Sequence, residues 1–105
     1  MSARGPHYDP KEVADLARNG RVVASMRVTR WLMNHDYDAA EMLVEVLISI
    51  EKSGEWLSSC TLMNSEVADE YTVRLDGEEW YLKFYVDEEQ VVVNVWSCWW
   101  QGAAH

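Results

Sequence analysis

Several features that often reveal a protein's class are missing from this sequence. Its two cysteines, Cys60 and Cys98, are too few for a disulfide framework, and no Cys/His spacing fits a zinc site. There is no Gly-rich phosphate loop, and no apolar run approaches the roughly 18–20 residues of a membrane span. Residues 1–8 lack the apolar stretch of a secretory signal. We therefore expect a cytoplasmic protein with no membrane contact, no metal and no cofactor.

Basic residues are also scarce, with 9 Lys and Arg against 18 Asp and Glu and a net charge of −9. Such a chain is a poor general binder of nucleic acid, because phosphate neutralisation supplies most non-specific affinity. One basic cluster stands out, formed by Arg18, Arg21, Arg27 and Arg30. Two interpretations remain open for it: a solvated helix edge, or a contact to phosphates or an acidic partner.

The clearest positive signal is the alternation of apolar and polar residues from 79 to 86, which predicts a strand with one face on a core. The preceding Asp76-Gly77 pair predicts a two-residue hairpin turn, because both central residues of a type I′ turn need φ > 0. That turn places Glu70 opposite Lys83 and Arg74 opposite Glu79, which gives two cross-strand pairs of opposite charge.

A second turn is predicted at Glu88-Glu89. It would pair Phe84 with Val93 and Leu82 with Val95 on the core side, and Lys83 with Asn94 and Tyr81 with Trp96 on the other. The two hairpins together predict one polar sheet face, on which a site is expected, carrying Glu70, Thr72, Arg74, Tyr81, Lys83, Tyr85, Asn94 and Trp96.

The first half of the chain reads as helical. Helices are predicted over 10–19, 26–35 and 38–53 from cap residues and apolar stripes, with an extended segment at 21–24 that is a candidate edge strand. A further strand is predicted over 55–63. We expect one domain over residues 1–105, of class α+β, with three N-terminal helices packed on one face of a mainly antiparallel sheet of four or more strands.

The order and spacing of these motifs resembles the MqsR family of type II toxin–antitoxin toxins over residues 6–97. The matching positions are Pro6-His7-Tyr8, Gly20-Arg21-Val22, the apolar face of the third helix, Tyr81-Leu82-Lys83 and the Val-rich last strand. The resemblance implies a RelE-like fold and metal-independent cleavage of mRNA, free or on the ribosome. It also implies a cognate antitoxin protein as partner.

The chain departs from the family at two catalytic positions. Where the family has Lys-Ser-Met-Thr, this chain reads Ser58-Ser59-Cys60-Thr61, so the lysine is missing. The family's Trp-Gln-Asp-Val-Tyr corresponds to residues 67–71, Val-Ala-Asp-Glu-Tyr, which lacks the glutamine. Of the three residues usually assigned to cleavage in that family, Tyr81 alone is retained. The resemblance is therefore to a divergent member.

Metal-free RNA cleavage needs a base for the ribose 2′-hydroxyl, a cation for the phosphorane charge and an acid for the leaving oxygen. The predicted polar face offers Tyr81 as donor or acid, Lys83 as cation, and Glu70 or His105 as base. The side chains expected to contact RNA are Tyr85, Trp96, Arg27, Arg30 and Arg74.

Each pairing also has an ordinary structural interpretation. Glu70 with Lys83 is equally a cross-strand ion pair, and Tyr81 with Trp96 equally an aromatic pair. The alternative function is therefore a non-catalytic protein-binding module on the same fold, which would use the sheet edge or an aromatic face formed by Tyr85, Trp96, Trp99 and Trp100.

Overall fold

The computed structural model describes residues 5–100 and is an α+β structure with three helices and a five-stranded, mostly antiparallel sheet. The helices are α1 Pro10–Arg18, α2 Met26–Asn34 and α3 Ala39–Ser53. The strands are β1 Val22–Ala24, β2 Glu55–Thr61, β3 Val67–Leu75, β4 Glu78–Asp87 and β5 Val92–Trp100. No helix within the described range is both long and apolar enough to cross a membrane.

Each helix begins directly after the residue that the sequence predicted as its cap. The side chains of Asp9, Ser25 and Asp38 each accept a hydrogen bond from a main-chain N–H in the first turn of the following helix. These bonds satisfy amide groups that have no partner inside the helix. The helix boundaries in the sequence prediction are therefore confirmed to within one residue.

The strands lie in the order β1-β5-β4-β3-β2, so β1 and β2 form the two edges. The short segment at Val22–Ala24 is confirmed as an edge strand, and it pairs parallel with β5. All other neighbours are antiparallel. Helix α2 follows β1 directly, and the main-chain N–H of its cap Ser25 donates to the Val95 carbonyl, so the helix starts beside the middle of β5.

The first hairpin has the predicted register. Glu70 lies opposite Lys83 and Arg74 opposite Glu79, and Asp76 and Gly77 have φ of 53° and 81°. A two-residue turn with both central residues at positive φ fixes the pairing of every residue that follows. The prediction succeeded because the Asp-Gly pair leaves only one turn geometry at low cost.

The second hairpin has a different register from the predicted one. Asp87 pairs with Val92, so the connection is a four-residue loop rather than a two-residue turn at Glu88-Glu89. The Asp87 carboxylate accepts hydrogen bonds from the main-chain N–H groups of Glu89 and Gln90 at 3.0 and 3.2 Å, which closes the longer loop. The Glu-Glu pair itself has no residue suited to φ > 0, so the tighter turn is disfavoured.

A bulge then shifts the register of β5 by one further residue. Phe84 pairs with Val95 and Lys83 with Ser97, so Trp96 is the extra residue. Tyr81 therefore lies opposite Trp99, where the sequence prediction had placed Trp96. The bulge changes which aromatic ring borders the predicted site.

One buried cluster joins residues of all three helices to one set of sheet positions. Trp80, Leu82 and Phe84 are at most 1% exposed within it, as predicted, and the intervening Tyr81 and Lys83 are half-buried. The other members are Val13, Ala17, Val28, Trp31, Leu32, Met42, Leu43, Val46, Leu47, Ile50, Tyr71, Val73, Val93, Val95 and Cys98. From residue 80 to residue 84 the alternation along β4 therefore separates core from polar positions as expected, whereas Tyr85, expected on the polar face, is buried.

Candidate active site

The polar side of β2, β3 and β4 carries a hydrogen-bonded cluster centred on Glu70. Tyr81 donates its hydroxyl hydrogen to Glu70 Oε2 in a short hydrogen bond, and Ser58 Oγ donates to Glu70 Oε1 at 2.8 Å. Strand pairing explains these contacts. Ser58 on β2 and Lys83 on β4 both lie directly opposite Glu70, on either side of β3. Tyr81, two residues before Lys83, reaches Glu70 diagonally.

These contacts shift the pKa values of Glu70 and Tyr81 in opposite directions. The hydrogen bond from Tyr81 is the largest cause that lowers the pKa of Glu70, and Ser58 and the charge of Lys83 act in the same direction. Burial raises the pKa of Tyr81, and the Glu70 carboxylate raises it further. At neutral pH the cluster therefore contains an ionised carboxylate and a protonated phenol.

Lys83 lies beside this cluster without forming an ion pair in residues 5–100, so the predicted Glu70–Lys83 salt bridge is absent although the pairing register is correct. Its side chain lines a shallow cavity of about 390 Å³, which we call the Lys83 hollow. The lining residues are Ser25, Arg27, Lys83, Trp96 and Ser97. The ammonium group is thus left available to a ligand.

A stack of three side chains connects Tyr81 to helix α2. The rings of Tyr81 and Trp99 stack with centroids 6.2 Å apart, and the guanidinium carbon of Arg27 lies 4.9 Å from the centroid of Trp99. Arg27 also lines a second cavity of about 420 Å³, the Arg30 hollow, together with Arg30, Trp31, Asn34 and Trp99. The two hollows therefore adjoin at Arg27.

The remaining predicted site residues lie in other surroundings. Tyr85 is only 8% exposed and packs with Leu62 and Ala68, so its ring is not a free platform for a base. Trp96 is half-buried and contacts Tyr85 edge-on, with centroids 6.5 Å apart. Arg74 is exposed near the first hairpin and lines neither hollow. His105 lies outside the described residues.

The basic cluster divides into two pairs with different roles. Arg18 forms ion pairs with Asp15 and Glu51 at 2.7 and 2.6 Å, and Arg21 donates to main-chain carbonyls of the 88–91 loop. Both of these side chains stabilise the fold. Arg27 and Arg30 form no ion pair within the described range and face the hollows instead.

Two members of the site were not identified from the sequence, Ser58 as a partner of Glu70 and Trp99 as the neighbour of Tyr81. The position of Ser58 beside Glu70 depends on the β2–β3 register, which contains an irregularity between Trp56 and Ser58. Trp99 depends on the bulge at Trp96. Neither irregularity has a Gly or Pro signal in the sequence that would have indicated it.

Metal-ligating side chains and cysteine thiols are the remaining groups that could carry chemistry. No group of three or more His, Cys, Asp or Glu residues within 5–100 is arranged to hold a metal ion. Both cysteines are free, and burial raises the pKa of the Cys98 thiol to about 12, which leaves it unreactive at neutral pH.

No model of a known protein family matches the chain, and no curated protein matches it by sequence. The geometry of Glu70, Tyr81, Lys83 and the two hollows is therefore the basis for any functional assignment.

The raised pKa of Tyr81 predicts an alkaline change in stability. The folded chain retains the phenolic proton after an unfolded tyrosine, with its ordinary pKa of 10.0, has lost it. This contribution is fully present below pH 10 and is lost as the pH rises through the folded pKa. The free energy of unfolding should therefore fall more steeply above pH 10 in the wild type than in Tyr81→Phe. Urea denaturation at a series of pH values measures both slopes, and equal slopes would contradict the assignment.

Proposed function

We propose that this chain is a metal-independent endoribonuclease, a divergent MqsR-like toxin of a type II toxin–antitoxin system that cuts mRNA and arrests translation in the cytoplasm. The fold proposal is RelE/MqsR-like, with the three helices on one face of the sheet. It is supported by the larger of two buried clusters, which contains residues of every helix and of β3, β4 and β5.

The observation that carries the proposal is the hydrogen bond between Glu70 and Tyr81 beside an unpaired lysine. Glu70 accepts the proton of the ribose 2′-hydroxyl as its oxygen attacks phosphorus. Lys83 stabilises the charge that develops on the phosphorane. Tyr81 donates its proton to the leaving 5′-oxygen, and its raised pKa keeps it protonated until that far more basic alkoxide forms.

The same hydrogen bond regenerates the catalyst. After bond cleavage the proton taken by Glu70 passes directly to the Tyr81 phenolate, since the two groups are already hydrogen-bonded. The products are a 2′,3′-cyclic phosphate and a 5′-hydroxyl, and no metal or cofactor takes part. This chemistry replaces the lysine and glutamine of the MqsR pattern with residues of adjacent strands.

The proposed antitoxin would present a basic surface to this chain. Two adjoining cavities at the opposite end of β4 share Tyr8, Val86 and Glu88. Their linings also contain the carboxylates of Glu12, Asp15, Glu66, Asp87 and Glu89. Opposite charge between partners accelerates association and favours the correct pairing.

Expression in a bacterial host tests the toxin proposal. The wild type should arrest growth, and Glu70→Gln should relieve the arrest, because the amide cannot accept the 2′-hydroxyl proton. Glu79→Gln, an exposed carboxylate near the first hairpin, is the matched control and should stay toxic. Full growth with wild-type protein that is soluble and folded would contradict the proposal.

The alternative is a non-catalytic protein-binding module, and the edge strand β2 favours it. Its outer edge has no strand partner within residues 5–100, and Leu57 on it is 49% exposed. Such edges accept an added strand from another protein. A folded chain that neither arrests growth nor cuts RNA, yet binds a partner protein through β2, would establish this function instead.

A further inference from the structure

The surface cavities of this acidic protein differ sharply in charge. The two cavities at the α1 end of the sheet are lined by several carboxylates, as described above. Of the described residues that line the Lys83 hollow and the Arg30 hollow, none is Asp or Glu. Three cations, Lys83, Arg27 and Arg30, converge there, so of the four cavities described within residues 5–100 these two favour an anion.

Arg27 is held in a position that serves both hollows. Its guanidinium lies over the ring of Trp99, and this ring is in turn stacked on Tyr81. A guanidinium that packs on an aromatic face can still donate hydrogen bonds, because its N–H groups point outward in its own plane. Arg27 is therefore oriented without using a carboxylate, which would have neutralised it.

The start of helix α2 adds to the positive potential of the Lys83 hollow. Ser25 caps this helix and lines the hollow, and the first turn contains no acidic residue. The first amide groups of a helix carry partial positive charge that attracts phosphate. This effect supplements the side chains of Lys83 and Arg27, which supply the main attraction.

We propose that the two hollows bind successive phosphates of a single-stranded RNA, with one phosphate between Lys83 and Arg27 and the next between Arg27 and Arg30. This inference rests on the proposed ribonuclease function and extends it to the substrate. Lys83 lines this hollow and also lies directly opposite Glu70 in the sheet, so we assign the phosphate nearest Lys83 as the scissile one. The phosphate at Arg30 fixes the register of the strand.

The surrounding aromatic side chains favour a single strand over a duplex. Trp96 is half-buried in the lining of the Lys83 hollow, where an unpaired base can stack on its exposed part. Bases in a duplex are already stacked on each other and cannot use such a surface. Trp99 is engaged by Tyr81 and Arg27, so its role is to position these two residues rather than to bind a base.

Binding of thymidine oligonucleotides, followed by tryptophan fluorescence, tests this arrangement. DNA lacks the 2′-hydroxyl, so these probes measure binding without cleavage. A trinucleotide, with two bridging phosphates, should bind more tightly than a dinucleotide, and a duplex should bind more weakly than a single strand. Arg27→Ala and Arg30→Ala should each weaken trinucleotide binding about tenfold, the usual range for loss of a charge-assisted hydrogen bond.

The salt dependence gives a second readout. Two phosphate contacts predict a shallow slope of log affinity against log salt of about −1.4, and Arg30→Ala should reduce its magnitude by about 0.7. Lys11→Ala is the matched control, because it removes one charge from an exposed position on α1 that lines neither hollow. Its affinity and slope should equal those of the wild type.

The outcomes separate this inference from the function on which it rests. If the wild type cuts RNA but Arg27→Ala and Arg30→Ala bind oligonucleotides normally, the phosphate sites are wrong and the ribonuclease function stands. If both variants lose binding while the wild type cuts no RNA, the sites stand and the function fails. If the wild type binds no single strand at all, the inference is overturned. In the cleavage assay Arg30→Ala should raise KM and leave kcat unchanged, as expected for a binding residue.

Discussion

Tyr81→Phe is expected to reduce the rate of RNA cleavage about 10²–10³-fold, the usual effect of removing one transition-state donor. The substitution deletes only the hydroxyl that bonds to Glu70 and would protonate the leaving oxygen. The ring remains stacked on Trp99, so the fold should be retained. Single-turnover cleavage of a labelled RNA measures the effect, with circular dichroism to confirm folding.

Tyr85→Phe is the matched control for this substitution. It removes a hydroxyl from the same strand, at a buried position that packs with Leu62 and Ala68 rather than with Glu70. We expect it to cleave RNA at close to the wild-type rate. If Tyr81→Phe is also as active as the wild type, the Glu70–Tyr81 pair is not the catalytic group.

Phe84→Ala is expected to lower the free energy of unfolding by about 3–5 kcal/mol, the range for truncating a fully buried aromatic side chain. Phe84 is 0% exposed, and its ring stacks on Tyr71 with centroids 5.9 Å apart. It also contacts the ring of Tyr8, which ties the N-terminal segment to the sheet. Chemical denaturation followed by tryptophan fluorescence measures the loss.

Phe84→Leu provides the comparison, since it keeps an apolar side chain of moderate size and should lose less stability than Phe84→Ala. A loss below about 1 kcal/mol for Phe84→Ala would show that this position is not part of a close-packed core. The assignment of β4 faces, and with it the position of Tyr81 and Lys83, would then need revision.

The sequence predicted the parts of the fold that depend on local chemistry. The cap residues Asp9, Ser25 and Asp38 defined the helix starts, and Asp76-Gly77 defined the first hairpin. In each case one residue type satisfies a local backbone requirement that few others can. The predicted register of the second hairpin was wrong, because the carboxylate of Asp87 stabilises a longer loop. The alternation of β4 does not indicate this interaction.

The part of the candidate site that depends on the Asp76-Gly77 turn was predicted from the sequence. Glu70, Tyr81 and Lys83 were assigned to one face from the first hairpin, and the structure brings them together. Ser58 and Trp99 were missed because their positions depend on irregularities in β2 and β5. The separate roles of Arg18 and Arg27 depend on tertiary contacts, which four arginines at similar spacing in the sequence cannot distinguish.

The most direct test of the central proposal is cleavage of a single-stranded RNA by the purified protein in the presence of a metal chelator. We predict fragments that end in a 2′,3′-cyclic phosphate with wild-type protein, and their loss with Glu70→Gln while Glu79→Gln remains active. Intact RNA after incubation with folded wild-type protein, or equal cleavage by Glu70→Gln, would contradict the account.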